Sequence, residues 1–132
     1  MPNTLNIGRI RVPKMSGHQK NTVDYNTLVK ESHSKMEIVR QIPHEGEVIR
    51  ARQNPHSQGI VASMTASGVI NLYNVESAGL TGRLHGLAKD SFSLSWSRQR
   101  EGYLLSSAGT QVCIWDVNHL SKNTGGNTAE KN

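Results

Sequence analysis

The residues of this sequence that could carry covalent chemistry are two adjacent serines and a single cysteine. Ser106 and Ser107 fall inside a predicted strand, so neither lies on the sharp turn that exposes a nucleophilic serine. Cys113 lies in an apolar run with no basic neighbour to favour its thiolate, which is typical of a small buried hydrophobic residue. No glycine-rich loop of the phosphate-binding kind occurs. The sequence therefore predicts a protein that is not an enzyme and has no cofactor.

Histidines are the residues most suited to hold a metal ion, and the sequence has six of them. His44, His56 and His85 do not form pairs at the short spacing of ligands in zinc sites. We therefore predict no metal site. The single cysteine also excludes an internal disulfide and is consistent with a reducing compartment.

One pattern occurs twice between Ile42 and Val117. The strands and turns that it predicts must position any functional residue. Each copy has short apolar runs, a polar turn, and a strand that ends in an aromatic residue followed by Asn or Asp. The first copy ends at Tyr73-Asn74 and the second at Trp115-Asp116, 42 positions later. A period of roughly 40 to 45 residues with such an ending is typical of β-propeller blades of the WD-repeat kind.

Short apolar runs separated by frequent turns predict an all-β fold of antiparallel strands. We expect a strand of a partial blade within residues 1–13 and a flexible polar loop over 14–34. The WD-repeat region covers 35–117, with one complete blade and partial blades, and a disordered tail covers 118–132. The predicted strands are 5–12, 36–42, 48–53, 60–64, 69–75, 80–84, 92–96, 103–106 and 111–117. The second of these strands is expected to end at Pro43.

The charge balance is basic, with 15 Lys and Arg against 10 Asp and Glu, a net charge of +5. The basic residues are scattered along the chain, without a run of like charge and without interleaved aromatic residues for stacking bases. We therefore predict no direct nucleic-acid partner. There is no signal-peptide pattern and no stretch of about 20 apolar residues, which predicts no membrane association and a place in the nucleus and cytoplasm.

Four segments resemble the histone-binding WD-repeat family, and they are residues 44–55, 94–97, 104–107 and 112–117. The similarity is most specific around His44 to Arg52. This family includes the retinoblastoma-binding and MSI-type proteins and subunit two of the type B histone acetyltransferase. The acetyltransferase subunit is the member to which the segment 68–73 is most similar. The resemblance implies a seven-bladed propeller, of which residues 5–117 would cover two to three blades as an incomplete ring.

The resemblance also implies roles for individual residues. Glu47 and Asp90 match acidic positions on the top face of the ring, where carboxylates bind the basic tail of histone H3 by charge-assisted hydrogen bonds. His44 matches the structural histidine of the repeat, which ties a blade together through buried hydrogen bonds. In the second copy we expect only Ser106 with Trp115 to remain of this network, with Asp116 closing the strand.

These observations predict a non-catalytic histone-binding or chromatin-assembly subunit. Its partners would be the histone H3 tail and either the catalytic subunit of a histone acetyltransferase or other chromatin-assembly subunits. One alternative is a WD-repeat fragment that acts only in protein–protein interaction or self-association, because a partial ring leaves strand edges and apolar faces open. A basic RNA-binding module is a further alternative, and its affinity would fall steeply with salt.

Overall fold

The structure, a computed structural model, describes residues 3–11, 35–89 and 91–120. The predicted polar loop over 14–34, Asp90, and the predicted tail beyond residue 120 therefore lie outside the described residues. Contacts between Cα atoms divide the chain into one unit of Asn6–Gln41 and a second unit of Met1–Leu5 with Ile42–Asn132. Among the described residues, no helix has the length and apolar character needed to cross a membrane.

Among the described residues nine strands form three sheets, of which the second and third are antiparallel, and this confirms the predicted all-β fold. The first sheet has two strands, the second has four in the order β3-β4-β5-β6, and the third has three in the order β7-β8-β9. The second sheet has the four strands of a propeller blade. The strands are β1 (Asn3–Arg11), β2 (Lys35–His44), β3 (Val48–Gln53), β4 (Ile60–Thr65), β5 (Ile70–Asn74), β6 (Gly79–Leu84), β7 (Ser91–Trp96), β8 (Tyr103–Ala108) and β9 (Gln111–Asp116).

The second sheet is a meander whose central strands are buried on both faces. β4 pairs with β3 on one side and with β5 on the other, with Ala62 opposite Leu72 and Val61 opposite Tyr73. Because side chains alternate along a strand, Ala62 and Met64 point to one face while Val61 and Ser63 point to the other. The residues of β4 are small or apolar, so they can be buried on both faces of the sheet.

The core lies between the second and third sheets. Leu94 and Trp96 of β7, Leu104 of β8 and Trp115 of β9 are buried in one cluster with residues of the second sheet. The second sheet contributes Ala62, Met64, Ile70, Leu72 and Leu84 to this cluster. Burial of such side chains stabilises the pair of sheets by ~1.5–3 kcal/mol for each large one.

The connections place two groups of turns at opposite ends of the strands. At one end, residues 45–47 precede β3, residues 66–69 link β4 to β5, and residues 85–89 follow β6. At the other end, residues 75–78 link β5 to β6, and residues 97–102 link β7 to β8. Because neighbouring strands of a meander run in opposite directions, the turns of the first group lie at the same end of the strands. We call this end the turn edge, and it carries the predicted site.

One strand boundary differs from the sequence prediction. β2 continues through Pro43 to His44, although Pro43 was expected to end it. β2 has a single partner, β1, so the proline nitrogen can face away from the ladder without losing a hydrogen bond. The extension carries His44 into the buried part of the larger unit.

Candidate functional site

His44 is held at the end of β2 by two hydrogen bonds that fix its tautomer. Its Nδ1 lies 3.1 Å from the carbonyl oxygen of Gly46, and its Nε2 lies 2.7 Å from Oγ of Ser63. A carbonyl oxygen can only accept, so Nδ1 carries the proton and donates to Gly46. In the neutral ring Nε2 then accepts from the Ser63 hydroxyl. His44 therefore joins the turn before β3 to the middle strand of the sheet.

Tyr73 occupies the position in the first copy that Trp115 occupies in the second. Its ring centroid lies 5.3 Å from that of His44, with the two planes tilted by 41°. Burial raises the pKa of Tyr73 above its usual 10.0, and the Glu45 carboxylate acts in the same direction. Hydrogen bonds with the Glu45 backbone and the Asn71 side chain, and the charge of Arg83, lower the pKa by less.

Ser106 and Trp115 lie together in the third sheet. The indole Nε1 of Trp115 donates to Oγ of Ser106 at 2.7 Å, and both residues are buried. Asp116 ends β9, where its Oδ1 accepts from the backbone N–H of Asn118 at 3.0 Å and so closes the turn that follows. His85 is exposed at the end of β6. It does not take the place that His44 takes in the first copy.

Glu47 is exposed in the turn that precedes β3, and its backbone carbonyl accepts from the N–H of Ala66 at 3.1 Å. The other predicted tail-binding carboxylate, Asp90, lies outside the described residues. Glu47 therefore lies next to the turn that links β4 to β5.

The turn between β4 and β5 contacts the segment that precedes β7. Gly68 has a φ of +83°, and a Cβ placed on it would lie 2.7 Å from the carbonyl oxygen of Ala88 and 2.9 Å from that of Leu87. Only glycine fits this approach without displacing the neighbouring backbone. The turn is thus in contact with Ala88 on one side and, through Ala66, with Glu47 on the other.

Glu45 and Arg83 form an ion pair, and both residues line each of two clefts. Both side chains are substantially exposed, so the pair contributes little to stability, ~0–1 kcal/mol. The residues are 38 positions apart and no motif links them, so the sequence carried no signal for this pair. The smaller cleft, of about 340 Å³, is lined by Glu45, Gly46, Thr65, Ser67, Val69, Asn71, Arg83 and His85.

The larger cleft has a volume of about 420 Å³ and a more apolar wall. It is lined by Asn3, Ile42, Pro43, His44, Glu45, Tyr73, Ala78, Leu80 and Arg83. Asn71, which borders the smaller cleft, has a buried Oδ1 without a hydrogen-bond partner among the described residues. Because this oxygen is also closed off from solvent, it adds a desolvation cost and offers no direct contact to a ligand.

Within residues 3–11, 35–89 and 91–120, no group of three His, Cys, Asp or Glu side chains is arranged to hold a metal ion. The arrangement offers hydrogen-bonding and charged groups at one edge of two sheets. Such a surface can bind a partner. The contact between the Ser63 hydroxyl and Nε2 of His44 is buried and joins strands of the larger unit.

Known proteins resemble this chain in sequence and in fold. The chain is 33% identical over 100 residues to histone acetyltransferase type B subunit 2 of Mycosarcoma maydis, covering 67% of this chain and 23% of the relative. It is 30% identical over 94 residues to the subunit of the same name in Candida glabrata, covering 68% of this chain and 22% of the relative. The chain thus spans less than a quarter of the length of these relatives. No protein-family model matches it.

A solved structure shows the same architecture. The β-propeller domain of Cps50 (Swd1) from Myceliophteria thermophila matches with a TM-score of 0.52 and 33% sequence identity, over 56% of this chain and 22% of that one. The chain belongs to the WD-repeat family. Its resemblance to histone acetyltransferase type B subunit 2, predicted from its sequence, is confirmed. The sheets of this WD-repeat chain are consistent with an incomplete propeller ring.

Proposed function

We propose that this WD-repeat chain is a non-catalytic subunit of a type B histone acetyltransferase-like or chromatin-assembly complex, acting in the nucleus and cytoplasm. The observation that carries the proposal is the similarity of about two thirds of the chain to proteins named as subunit 2 of that acetyltransferase. Its partners would be the catalytic subunit of the complex, or other chromatin-assembly subunits, and the tail of histone H3.

Glu47 and Asp90 are the residues proposed to contact the histone tail. Glu47 is exposed at the turn edge of the second sheet, where a partner can reach its carboxylate. Asp90 precedes β7, the neighbouring inner strand, by one residue in the sequence. Carboxylates bind lysine and arginine side chains through charge-assisted hydrogen bonds, which suits a basic peptide.

The net charge of +5 does not favour attraction of a basic tail over long distances. The proposed binding must therefore depend on local carboxylates, with modest affinity and a slow approach of the tail. An exposed charge pair contributes ~0.2–1 kcal/mol, and two such pairs change the dissociation constant by about 30-fold at most.

The test is the affinity of a fluorescent histone H3 tail peptide, measured by anisotropy for the full chain and for variants. We expect Glu47→Gln with Asp90→Asn to weaken binding up to about 30-fold. The matched control is Glu76→Gln with Glu101→Gln, which removes the same charge from turns at the opposite ends of the strands. The control should bind as tightly as the unchanged chain.

Two results would count against this proposal. Equal loss in the site variant and the control would show that only net charge matters, and an unchanged site variant would remove Glu47 and Asp90 from the interaction. Binding to RNA that falls steeply with salt, without binding to the peptide, would favour the RNA-binding alternative instead. Co-purification with the catalytic subunit of a type B acetyltransferase tests the second partner separately.

A further inference from the structure

Glu45 and Glu47 extend from one short turn whose backbone is held by two hydrogen bonds. They flank Gly46, and both residues are exposed in the turn before β3. The Gly46 carbonyl lies 3.1 Å from Nδ1 of His44 and accepts from Nδ2 of Asn3 at 2.7 Å. Because the backbone of the turn is fixed, less conformational entropy is lost when a ligand binds both carboxylates.

An arginine of the same chain already occupies the Glu45 carboxylate. Arg83 lies on β6, and its Nη2 donates to Oε2 of Glu45. A guanidinium presents only donors, in a planar fork that matches a carboxylate, so this contact shows which type of cation fits at Glu45. The side chain of Glu45 is 81% exposed and that of Arg83 is 41% exposed, and an exposed ion pair of this kind is weak. A ligand can therefore open the pair at little cost.

The smaller cleft offers further acceptors beside this ion pair. Both members of the pair line the cleft, together with the hydroxyl groups of Thr65 and Ser67. Oγ1 of Thr65 donates its one hydrogen to the Val69 carbonyl at 2.9 Å. In the 2.9 Å contact between the two hydroxyl groups, Ser67 is therefore the donor, and its oxygen keeps lone pairs that can accept from a ligand. The cleft thus suits a cationic side chain, which has only hydrogens to donate.

We propose, given the proposed function, that Glu45 is a third carboxylate of the histone-tail site and that Arg83 competes with the tail for it. The group bound in the smaller cleft is an arginine side chain of the tail. When that side chain pairs with Glu45, the Arg83 guanidinium is released to solvent. The unchanged chain gains one exposed ion pair and loses another, so Glu45 adds little to the affinity while Arg83 is present.

Anisotropy of the fluorescent histone H3 tail peptide, measured with the full chain and its variants, tests this competition. Arg83→Gln frees Glu45 and should tighten binding up to about fivefold, which corresponds to one exposed ion pair. Glu45→Gln added to Arg83→Gln should remove that gain. Glu45→Gln alone should have a smaller effect, because Arg83 occupies that carboxylate in the unchanged chain.

Arg98→Gln is the matched control, because Arg98 is exposed in the turn that links β7 to β8, away from the turn edge. It lowers the net charge by the same amount as Arg83→Gln. A gain that both variants share therefore comes from the net charge alone. Circular dichroism of each variant checks that its sheets are retained.

The outcomes separate this proposal from the proposed function. No gain in Arg83→Gln beyond that of Arg98→Gln, or a gain that persists when Glu45→Gln is added, would overturn the competition even where the unchanged chain binds the peptide. A peptide that binds Arg83→Gln and not the unchanged chain would support the competition. A peptide that binds none of these chains would overturn both proposals.

Discussion

The indole Nε1 of Trp96 donates a hydrogen bond to the backbone carbonyl of Arg52 at 2.9 Å, and this bond joins the third sheet to the second. Trp96 is buried at the end of β7, and Arg52 lies in β3, the first strand of the second sheet. Near the same end, Nε2 of His56 lies 3.2 Å from the carbonyl oxygen of Ser97. The two sheets therefore share polar contacts with defined geometry in addition to an apolar core.

We predict that Trp96→Phe destabilises the chain by ~1 kcal/mol or more. The substitution removes the donor, leaves the Arg52 carbonyl without this partner, and reduces apolar contact in the core. The measurement is urea unfolding followed by the fluorescence of Trp115, the other tryptophan of the sequence. An unchanged free energy of unfolding would show that the Trp96 bond does not hold the sheets together.

The close approach of Gly68 to the backbone of Leu87 and Ala88 gives a second prediction, which concerns stability. Gly68→Ala should lower the free energy of unfolding by more than ~1 kcal/mol, because its Cβ would lie 2.7 Å and 2.9 Å from two backbone oxygens at a φ of +83°. Gly59→Ala is the control, since a Cβ there meets nothing within 4 Å and no positive φ is required. That control should be neutral or stabilising by up to about 1 kcal/mol. Equal melting temperatures for both variants would contradict the argument.

The strands and part of the hydrogen-bond network could be predicted from the sequence because they depend on local patterns. β3 was predicted at 48–53 and has those bounds, since an apolar run between turns determines it. Ser106 and Trp115, named from the WD-repeat pattern, are joined by a hydrogen bond. β2 was predicted too short, because whether a proline ends a strand depends on the number of strands beside it.

The contacts of the site could not be predicted because they join residues that are distant in sequence. The pairing of His44 with Ser63 depends on the extension of β2, and the Glu45–Arg83 pair depends on how β6 returns past the turn before β3. Tyr73 and His44 are distant in sequence, and no pattern in the sequence indicated the contact between their rings. Local periodicity predicts strands, whereas these contacts follow from the packing of strands.

Tyr73 makes stability depend on pH in the alkaline range. Burial raises the pKa of Tyr73 in the folded chain above the usual 10.0, so the folded state retains a proton that the unfolded state has lost. The stability contributed by the neutral phenol is complete below pH 10 and falls as pH rises through the folded-state pKa. Tyr73→Phe should remove the part of the decrease in the free energy of unfolding at alkaline pH that comes from this phenol. Urea unfolding of both chains at several alkaline pH values measures it, and parallel curves would contradict the prediction.

The bond between His44 and Ser63 should appear as an energetic coupling. His44→Phe leaves the buried Ser63 hydroxyl without its acceptor, and Ser63→Ala leaves Nε2 without its donor, so each should cost ~1–3 kcal/mol. The double variant removes both polar groups and should cost less than the sum of the single changes.

The matched control for this coupling is His44→Phe combined with Ser106→Ala, because the Ser106 hydroxyl is bonded to Trp115 instead. The effects of that pair should add to within about 0.5 kcal/mol. Additive effects for His44 and Ser63 themselves would mean that their hydrogen bond does not stabilise the folded chain. A coupling there, and none in the control, would assign to His44 the role of tying the turn before β3 to the centre of the second sheet.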